Sequence, residues 1–331
     1  EVGGGESSLD RRKQGPDRWL RLRSAGAGIM TSLPLLKGAR VSTAQVWTLG
    51  ALLDWTAKHL VEKGSEYPRL DAEVLLAHAA GCRRIDLYGI KHGEEASPDV
   101  RQRYKELIRK RIEGCPVAYL VGKKEFYGLE FTVSPAVLIP RPDSEHVVME
   151  CLKLAKGVEQ PRILDIGTGS GNLAVTLAKQ LPRAQVTTID KSEDALKVAR
   201  ANAEKHAVAD RVRFLQGDLF APLGPDETFD FIVSNPPYIA REDLDKLPIG
   251  VKQYEPILAL DGGPGGFEVF DRLVDGARKH LAAAGWLIVE IGAPQEQRAR
   301  EKIASYPGYE LASTVRDYSN HPRVLKARRA K

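Results

Sequence analysis

The chain has 331 residues, of which 43% are hydrophobic and 28% charged, and its formal net charge is +5. That balance is ordinary for a globular protein, and no apolar run approaches the roughly 18 residues that span a bilayer. Cys82, Cys115 and Cys151 lie far apart without a CxxC spacing, which argues against a disulfide framework or a zinc site and suits a reducing cytosol.

The positive charge sits at the ends. Residues 1–40 carry eight Lys or Arg against four Asp or Glu, and residues 321–331 carry five against none. The body between them has 36 basic and 40 acidic residues. A basic end is usually a solvated tail, so stable nucleic-acid binding is not expected. The seven histidines are scattered and read as surface or packing residues, not as metal ligands.

Residues 1–40 read as a disordered leader, polar, Gly-rich and without periodicity. They lack the apolar stretch of a secretory signal, and Glu1, Glu6, Asp10 and Asp17 count against a transit peptide. Met30 is a candidate natural start.

Residues 41–120 read as a small helical bundle. One helix carries Val46, Leu49, Leu53 and Ala57 on a stripe and ends near Gly64. A second opens at Pro68 and closes at Gly81, and a third runs from Ser97-Pro98 to Gly114. Residues 121–145 read as a hairpin around Gly128 followed by an extended link punctuated by Pro135, Pro140 and Pro142.

From 146 to 331 strands and helices alternate. Strands are predicted at "RILDIG", "QVTTID", "VRFLQGD", "FDFIVSN" and "WLIVEIG", with helices at Leu173–Gln180, Glu193–His206 and Phe267–Leu281. Such alternation implies a mostly parallel sheet covered by helices on both faces, an α/β Rossmann-like architecture. Two closing strands joined by Asn320–Pro322 are expected as an antiparallel pair at the sheet edge.

The first strand runs into Gly167, Thr168, Gly169, Ser170 and Gly171. Glycine admits positive φ and lets the backbone approach a ligand, and open α/β sheets bind ligands beyond the carboxyl ends of their strands. A glycine loop alone is a weak signal and also satisfies a loose dinucleotide fingerprint. Three carboxylates sharpen it. Asp165 ends the first strand, Asp190 ends the second and can accept from both ribose hydroxyls, and Asp218 follows the third at the height of an adenine edge. Carboxylates repel a pyrophosphate and favour a cation. S-adenosylmethionine carries a sulfonium and an ammonium and no phosphate, so it is the better guest. Taken singly, Asp190 or Asp218 is as well read as a helix cap.

The fourth strand leaves through Ser-Asn-Pro-Pro-Tyr, residues 234–238. A proline ends a ladder, and most Pro-Pro pairs are only turns. Here Asn235 lies next to the switch point, facing the same crevice as the glycine loop. Its carbonyl and that of Pro236 are two acceptors, held stiffly by Pro236 and Pro237, that suit a planar NH2 group. Tyr238 offers a flat face for an amide or a base. The joint pattern reads as a clamp that orients a planar nitrogen towards a methyl group.

Asp165–Gly171 and Asn235–Tyr238 resemble motifs of the seven-strand S-adenosylmethionine-dependent methyltransferases that act on planar nitrogen. "FYGLEFTVSPAVLIPRPDSE" at 126–145, the helical region before it and "RDYSNHPRV" near the end narrow the resemblance to the peptide chain release factor glutamine N5-methyltransferase family, also called HemK or PrmC, over about residues 45–328. The resemblance implies methylation of the glutamine amide in the Gly-Gly-Gln motif of class 1 release factors. It assigns Gly167–Gly171, Asp190 and Asn235 to the cofactor and Asn235–Tyr238 to the glutamine, and the strand-end reading above adds Asp165 and Asp218 to the cofactor set. Family members often carry a tryptophan that stacks on adenine where this chain has Leu219, so Leu219 holds that cofactor position without the stacking ring. The helical region is then a substrate-recognition domain, and a bacterial cytosol, or an organelle, is the expected location.

Rival readings are an adenine N6-methyltransferase on DNA or RNA and a glutamine methyltransferase acting on a ribosomal protein. A non-catalytic adaptor and an NAD-dependent oxidoreductase are further off. The acidic body and the helical front region disfavour nucleic acid, and the oxidoreductase leaves Asn235–Tyr238 without a purpose.

Overall fold

The computed structural model describes residues 46–330. The leader and the candidate start at Met30 lie outside the described residues. Four helices come first: α1 (Leu49–Glu62), α2 (Pro68–Ala80), α3 (Pro98–Ile112) and the short α4 (Val117–Val121). Their ends follow local chemistry. The Thr48 and Ser97 side chains accept from backbone N–H groups three residues on, and Gly81 closes α2 in the left-handed region. The buried stripe of α1 is Leu49, Leu53, Thr56 and Leu60. Val46 is exposed and lies before the helix, so the true stripe runs one turn later than the apolar pattern suggested. Leu75, Leu76, Leu87, Tyr104 and Ile108 complete this core.

The chain then forms the hairpin β1 (Lys123–Phe126) and β2 (Leu129–Thr132) around Tyr127 and Gly128, both with positive φ. After α5 (Glu145–Leu154) come β3 (Arg162–Ile166), α6 (Asn172–Gln180), β4 (Gln185–Asp190), α7 (Glu193–Lys205), β5 (Val212–Gln216) and β6 (Phe229–Ser234). The one-turn helix α8 (Ile249–Lys252) interrupts a long loop, followed by α9 (Glu268–His280), β7 (Leu281–Glu290) and α10 (Glu296–Ala304). The end supplies β8 (Tyr309–Leu311), β9 (Val315–Arg316) and β10 (Pro322–Arg329).

The main sheet has the order β5-β4-β3-β6-β7-β10-β8, with β9 alongside β10. The strands β5, β4, β3, β6 and β7 run parallel, while β10 is antiparallel to β7 and to β8. The expected closing pair is therefore present, but β10 is not at the edge. Its alternating buried residues Val324, Leu325 and Ala327 serve both faces, and the shorter β8 takes the edge.

Successive strand residues point to opposite faces, and the two cores divide accordingly. Ile163, Phe231, Val233, Ile288 and Val324 pack with α5, α6, α7 and the hairpin. Leu164, Ile232, Leu287, Val289 and Leu325 pack with α9 and α10. The chain leaves β3 towards β4 and β5, then crosses back to β6 on the other side. The switch point thus lies between the carboxyl ends of β3 and β6, where Ile166 is paired with Ser234.

Candidate active site

A cavity of about 250 Å³ opens at this switch point. Its floor is the loop after β3. Gly167, Gly169 and Gly171 all have positive φ, so none of these positions takes an L side chain without strain. At Gly167 and Gly169 an added Cβ would enter open space, so conformation and ligand approach demand glycine there. Gly171 differs. It begins α6, and a Cβ would lie 3.1 Å from that of Ala199 on α7. Its absent side chain serves the packing of two helices, and Gly171 does not line the cavity.

The loop is tied down from below. Gly167 N–H donates to Ile189 O at 2.8 Å, and Gly169 N–H to Asp190 Oδ2 at 2.9 Å. Asp190 Oδ1 accepts from Ser192 N–H at 2.9 Å, where Ser192 caps α7. Asp190 therefore ties the glycine loop to the residue that caps α7 and faces the cavity at once. Burial raises its pKa against the lowering effect of those backbone donors. Asn202, buried on α7, donates to Ser170 O at 2.8 Å and exchanges two bonds with Thr132, joining the loop to the hairpin.

Asp165 sits beneath the floor and does not reach the cavity surface. It is fully buried, and its Oδ2 accepts from Thr168 Oγ1 at 2.7 Å. Its Oδ1 has no partner among the described residues. Burial pushes its carboxyl up to about 7 despite the Thr168 and Thr188 hydroxyls. In place, Asp165 is a support of the loop. Asp218 and Leu219 do line the cavity, and Asp218 accepts from Arg272 of α9 at 2.7 Å. Leu219 takes positive φ, which turns the backbone there into the cavity wall.

Beside the glycine loop, at the end of the neighbouring strand, stand Ser234, Asn235, Pro236 and Pro237. Asn235 Nδ2 donates to Ser144 Oγ at 2.9 Å, and Ser144 Oγ donates to Glu290 Oε2 at 2.6 Å. Tyr238 does not line the cavity. Its ring lies against Gly292, its backbone carbonyl accepts from Gln295 Nε2 at 3.0 Å, and its hydroxyl stands beside Glu290. The flat face expected of it is thus not presented there. The half-buried ring braces the turn instead, and burial raises its pKa.

The link before α5 is part of the site. Ala136, Leu138, Pro140, Arg141 and Ser144 form one wall. Glu255, almost wholly buried, pairs with Arg141 and accepts from Ile139 N–H at 3.1 Å, joining this wall to the loop after β6. Removing one partner of a buried ion pair strands the other. Glu255→Ala is expected to cost about 3 kcal/mol, the low end for such a loss because Arg141 keeps some solvent. Urea unfolding of the two proteins measures it, and an unchanged midpoint would refute the bracing role.

Sequence reading did not single out Ser144, Glu290, Arg141, Glu255, Arg272 or Asn202. The usable signals were a carboxylate closing the apolar strand "WLIVEIG" and an asparagine on the buried side of α7.

The residues fit S-adenosylmethionine. Two carboxylates at the ends of adjacent strands suit hydroxyl and amine donors, and positive-φ glycines leave open space above the loop. Among the described residues no group of three or more His, Cys, Asp or Glu is placed to hold a metal, and no helix is long and apolar enough to cross a membrane.

Comparisons with known proteins agree with this chemistry. The family described as "Methyltransferase small domain" matches residues 143–248, and "PrmC N-terminal domain" matches residues 51–122. The chain is 44% identical over 298 residues to a release factor glutamine methyltransferase of Rhodopirellula baltica, covering 88% of this chain and all of the relative. It is 42% identical over 284 residues to one of Geobacter sulfurreducens, covering 86% and 98%. A solved protein-(glutamine-N5) methyltransferase, release factor-specific, from Alicyclobacillus acidocaldarius is 26% identical, with a TM-score of 0.38 over 61% of this chain and all of that one.

Proposed function

The chain belongs to the release factor glutamine methyltransferases, and from that premise we propose how its own residues act on the substrate. It is an S-adenosylmethionine-dependent enzyme of the α/β methyltransferase fold that methylates the glutamine side-chain amide of release factors. The finer reading is that the target is the Gly-Gly-Gln glutamine of class 1 release factors. The observation that supports action on a side-chain amide is that Asn235 and Pro236 line the same cavity as Gly167–Ser170, and the Gly-Gly-Gln target follows from the family.

Gly167, Thr168, Gly169, Ser170, Asp190, Asp218 and Leu219 are the residues that would hold the cofactor. When bound, it supplies an electrophilic methyl group on a sulfonium. The remaining work falls to the neighbouring wall. An amide nitrogen is a poor nucleophile because its lone pair is delocalised into the carbonyl. Asn235 Oδ1 and Pro236 O accept the two NH2 hydrogens, fix the plane of the group and hold the lone pair towards the glycine loop. Leu138, Pro256 and Leu258 supply apolar wall that limits water at the nitrogen. The amide proton passes to bulk water after transfer.

We assign the gripping of the release factor to the helical bundle α1–α4. Two contacts support this. Tyr254 Oη donates to Glu113 O at 3.3 Å, and the Ile249 side chain lies where a Cβ on Gly114 would stand. Both come from the loop after β6, which also lines the cavity through Pro256, Leu258 and Asp261. We assign the reaction to translation termination in a bacterial cytoplasm, a reading that the release factor methyltransferases of bacteria among its relatives support.

The test is methyl transfer from radiolabelled S-adenosylmethionine to a class 1 release factor, to its Gly-Gly-Gln→Gly-Gly-Ala variant, to ribosomal proteins and to DNA. Label on the release factor that vanishes in the variant is expected. Label on DNA or ribosomal protein alone would overturn the substrate while keeping the planar-nitrogen clamp.

A further inference from the structure

A primary carboxamide has two ends of similar shape and opposite hydrogen-bonding sense, and only its surroundings decide which end faces a ligand. For Asn235 the surroundings form a short chain. Ser144 is buried at the turn before α5, and Glu290 is buried at the carboxyl end of β7, the strand beside β6. A hydroxyl has one proton. Ser144 places it on Glu290 Oε2 at 2.6 Å, so towards Asn235 it can only accept, and it does so from Nδ2 at 2.9 Å. Oδ1 is then the end left for the cavity.

We propose that Ser144 and Glu290 are positioning residues, a directed hydrogen-bond relay that presents the Asn235 carbonyl, and not its NH2, to the substrate nitrogen. The inference rests on the clamp reading of Asn235 given above. Ionised Glu290 can only accept, so it sets the sense of the whole relay. Were it protonated, it could donate to Ser144, Ser144 could donate to Asn235 Oδ1, and the NH2 end would turn to the cavity. Two donors would then face a substrate NH2 that itself needs acceptors.

The surroundings poise that switch. Burial pushes the Glu290 carboxyl up to about 7, and Asp143 adds to the rise. The Ser144 and Tyr238 hydroxyls and Arg323 of β10 oppose it. Arg323 is shared between Asp143 at 3.1 Å and Asp317 at 2.9 Å, which weakens its hold on Glu290. Since the working form is the ionised one, kcat should fall as pH drops below about 7.

The experiment compares Ser144→Thr with Ser144→Val. These side chains have the same shape and differ only in the hydroxyl. With the full-length enzyme and a class 1 release factor, kcat, KM and the calorimetric Kd for S-adenosylmethionine are measured for each, and a pH profile is taken for wild type and Glu290→Gln. The Val variant is expected to lose about 10–100-fold in kcat relative to the Thr variant, the range typical of groups standing behind a contacting residue, with Kd for the cofactor unchanged. The Gln variant, whose amide can donate to Ser144, should have lower kcat and lose the fall below about pH 7. Equal kcat for Thr and Val variants that both turn over would overturn the relay. If both are inactive, Ser144→Ala decides, because near-normal kcat there overturns the relay and a loss at unchanged cofactor Kd upholds it. A wild type that labels no release factor would sink the substrate reading and the relay with it, whereas a labelling wild type with equal variants sinks the relay alone.

Discussion

Asn235→Ala is expected to lower kcat on a release factor by about 10²–10³-fold, the loss typical of one oriented polar group acting on a reacting centre. Alanine removes one of the two acceptors that hold the substrate NH2. It also leaves the Ser144 hydroxyl, already committed to Glu290, without its donor. The glycine loop and Asp190 do not depend on Asn235 for any hydrogen bond, so cofactor affinity should change only a few-fold. Single-turnover transfer to the release factor, with cofactor Kd by calorimetry, separates the two effects. Turnover within about threefold of wild type would remove Asn235 from the clamp.

The second large effect is on the cofactor. Asp190→Ala should raise the S-adenosylmethionine Kd about a hundredfold, since a hydrogen bond to a charged group contributes roughly 1.5–3 kcal/mol and about 1.4 kcal/mol is tenfold in affinity. The loss has two sources. One is the acceptor offered to ribose hydroxyls. The other is the carboxylate that pins Gly169 N–H and Ser192 N–H, without which the loop and the start of α7 lose their common anchor. Asp190→Asn keeps one acceptor and should fall between the two. Calorimetry reads Kd directly, and kcat at saturating cofactor should recover much of its value. A Kd unchanged in the alanine variant would confine Asp190 to anchoring the loop.

The two substitutions act on different walls of one cavity and share no hydrogen-bond partner, so their effects on transfer at low cofactor should be close to additive. The relay variants should not add to Asn235→Ala, because they act through the group it removes. That contrast makes the double variant Asn235→Ala with Ser144→Val informative. Its kcat should match that of Asn235→Ala.

Much of the site is legible in the sequence. Gly167, Gly169, Asp190, Asn235 and Pro236 announce themselves because each is chemically costly or unusual at the end of an apolar strand, and strand order then places those ends side by side. The helix limits at Ser97 and Gly81 were equally local, since capping and positive φ are decided within a few residues, whereas the start of α1 after Thr48 was read too early. What the chain could not reveal by itself depends on partners far away in sequence. Asp165 and Asp190 look alike as strand-ending carboxylates, yet only burial beneath the loop makes one a support and leaves the other facing the cavity. Tyr238 reads as a stacking face until Gly292 and Gln295 are seen to hold it aside. Ser144 and Glu290 stand 146 positions apart and meet only because β7 lies beside β6 with the turn before α5 folded over both. Periodicity and caps are short-range and survive in the sequence, whereas the sense of a hydrogen bond and the burial of a charge belong to contacts that exist only once the chain has folded.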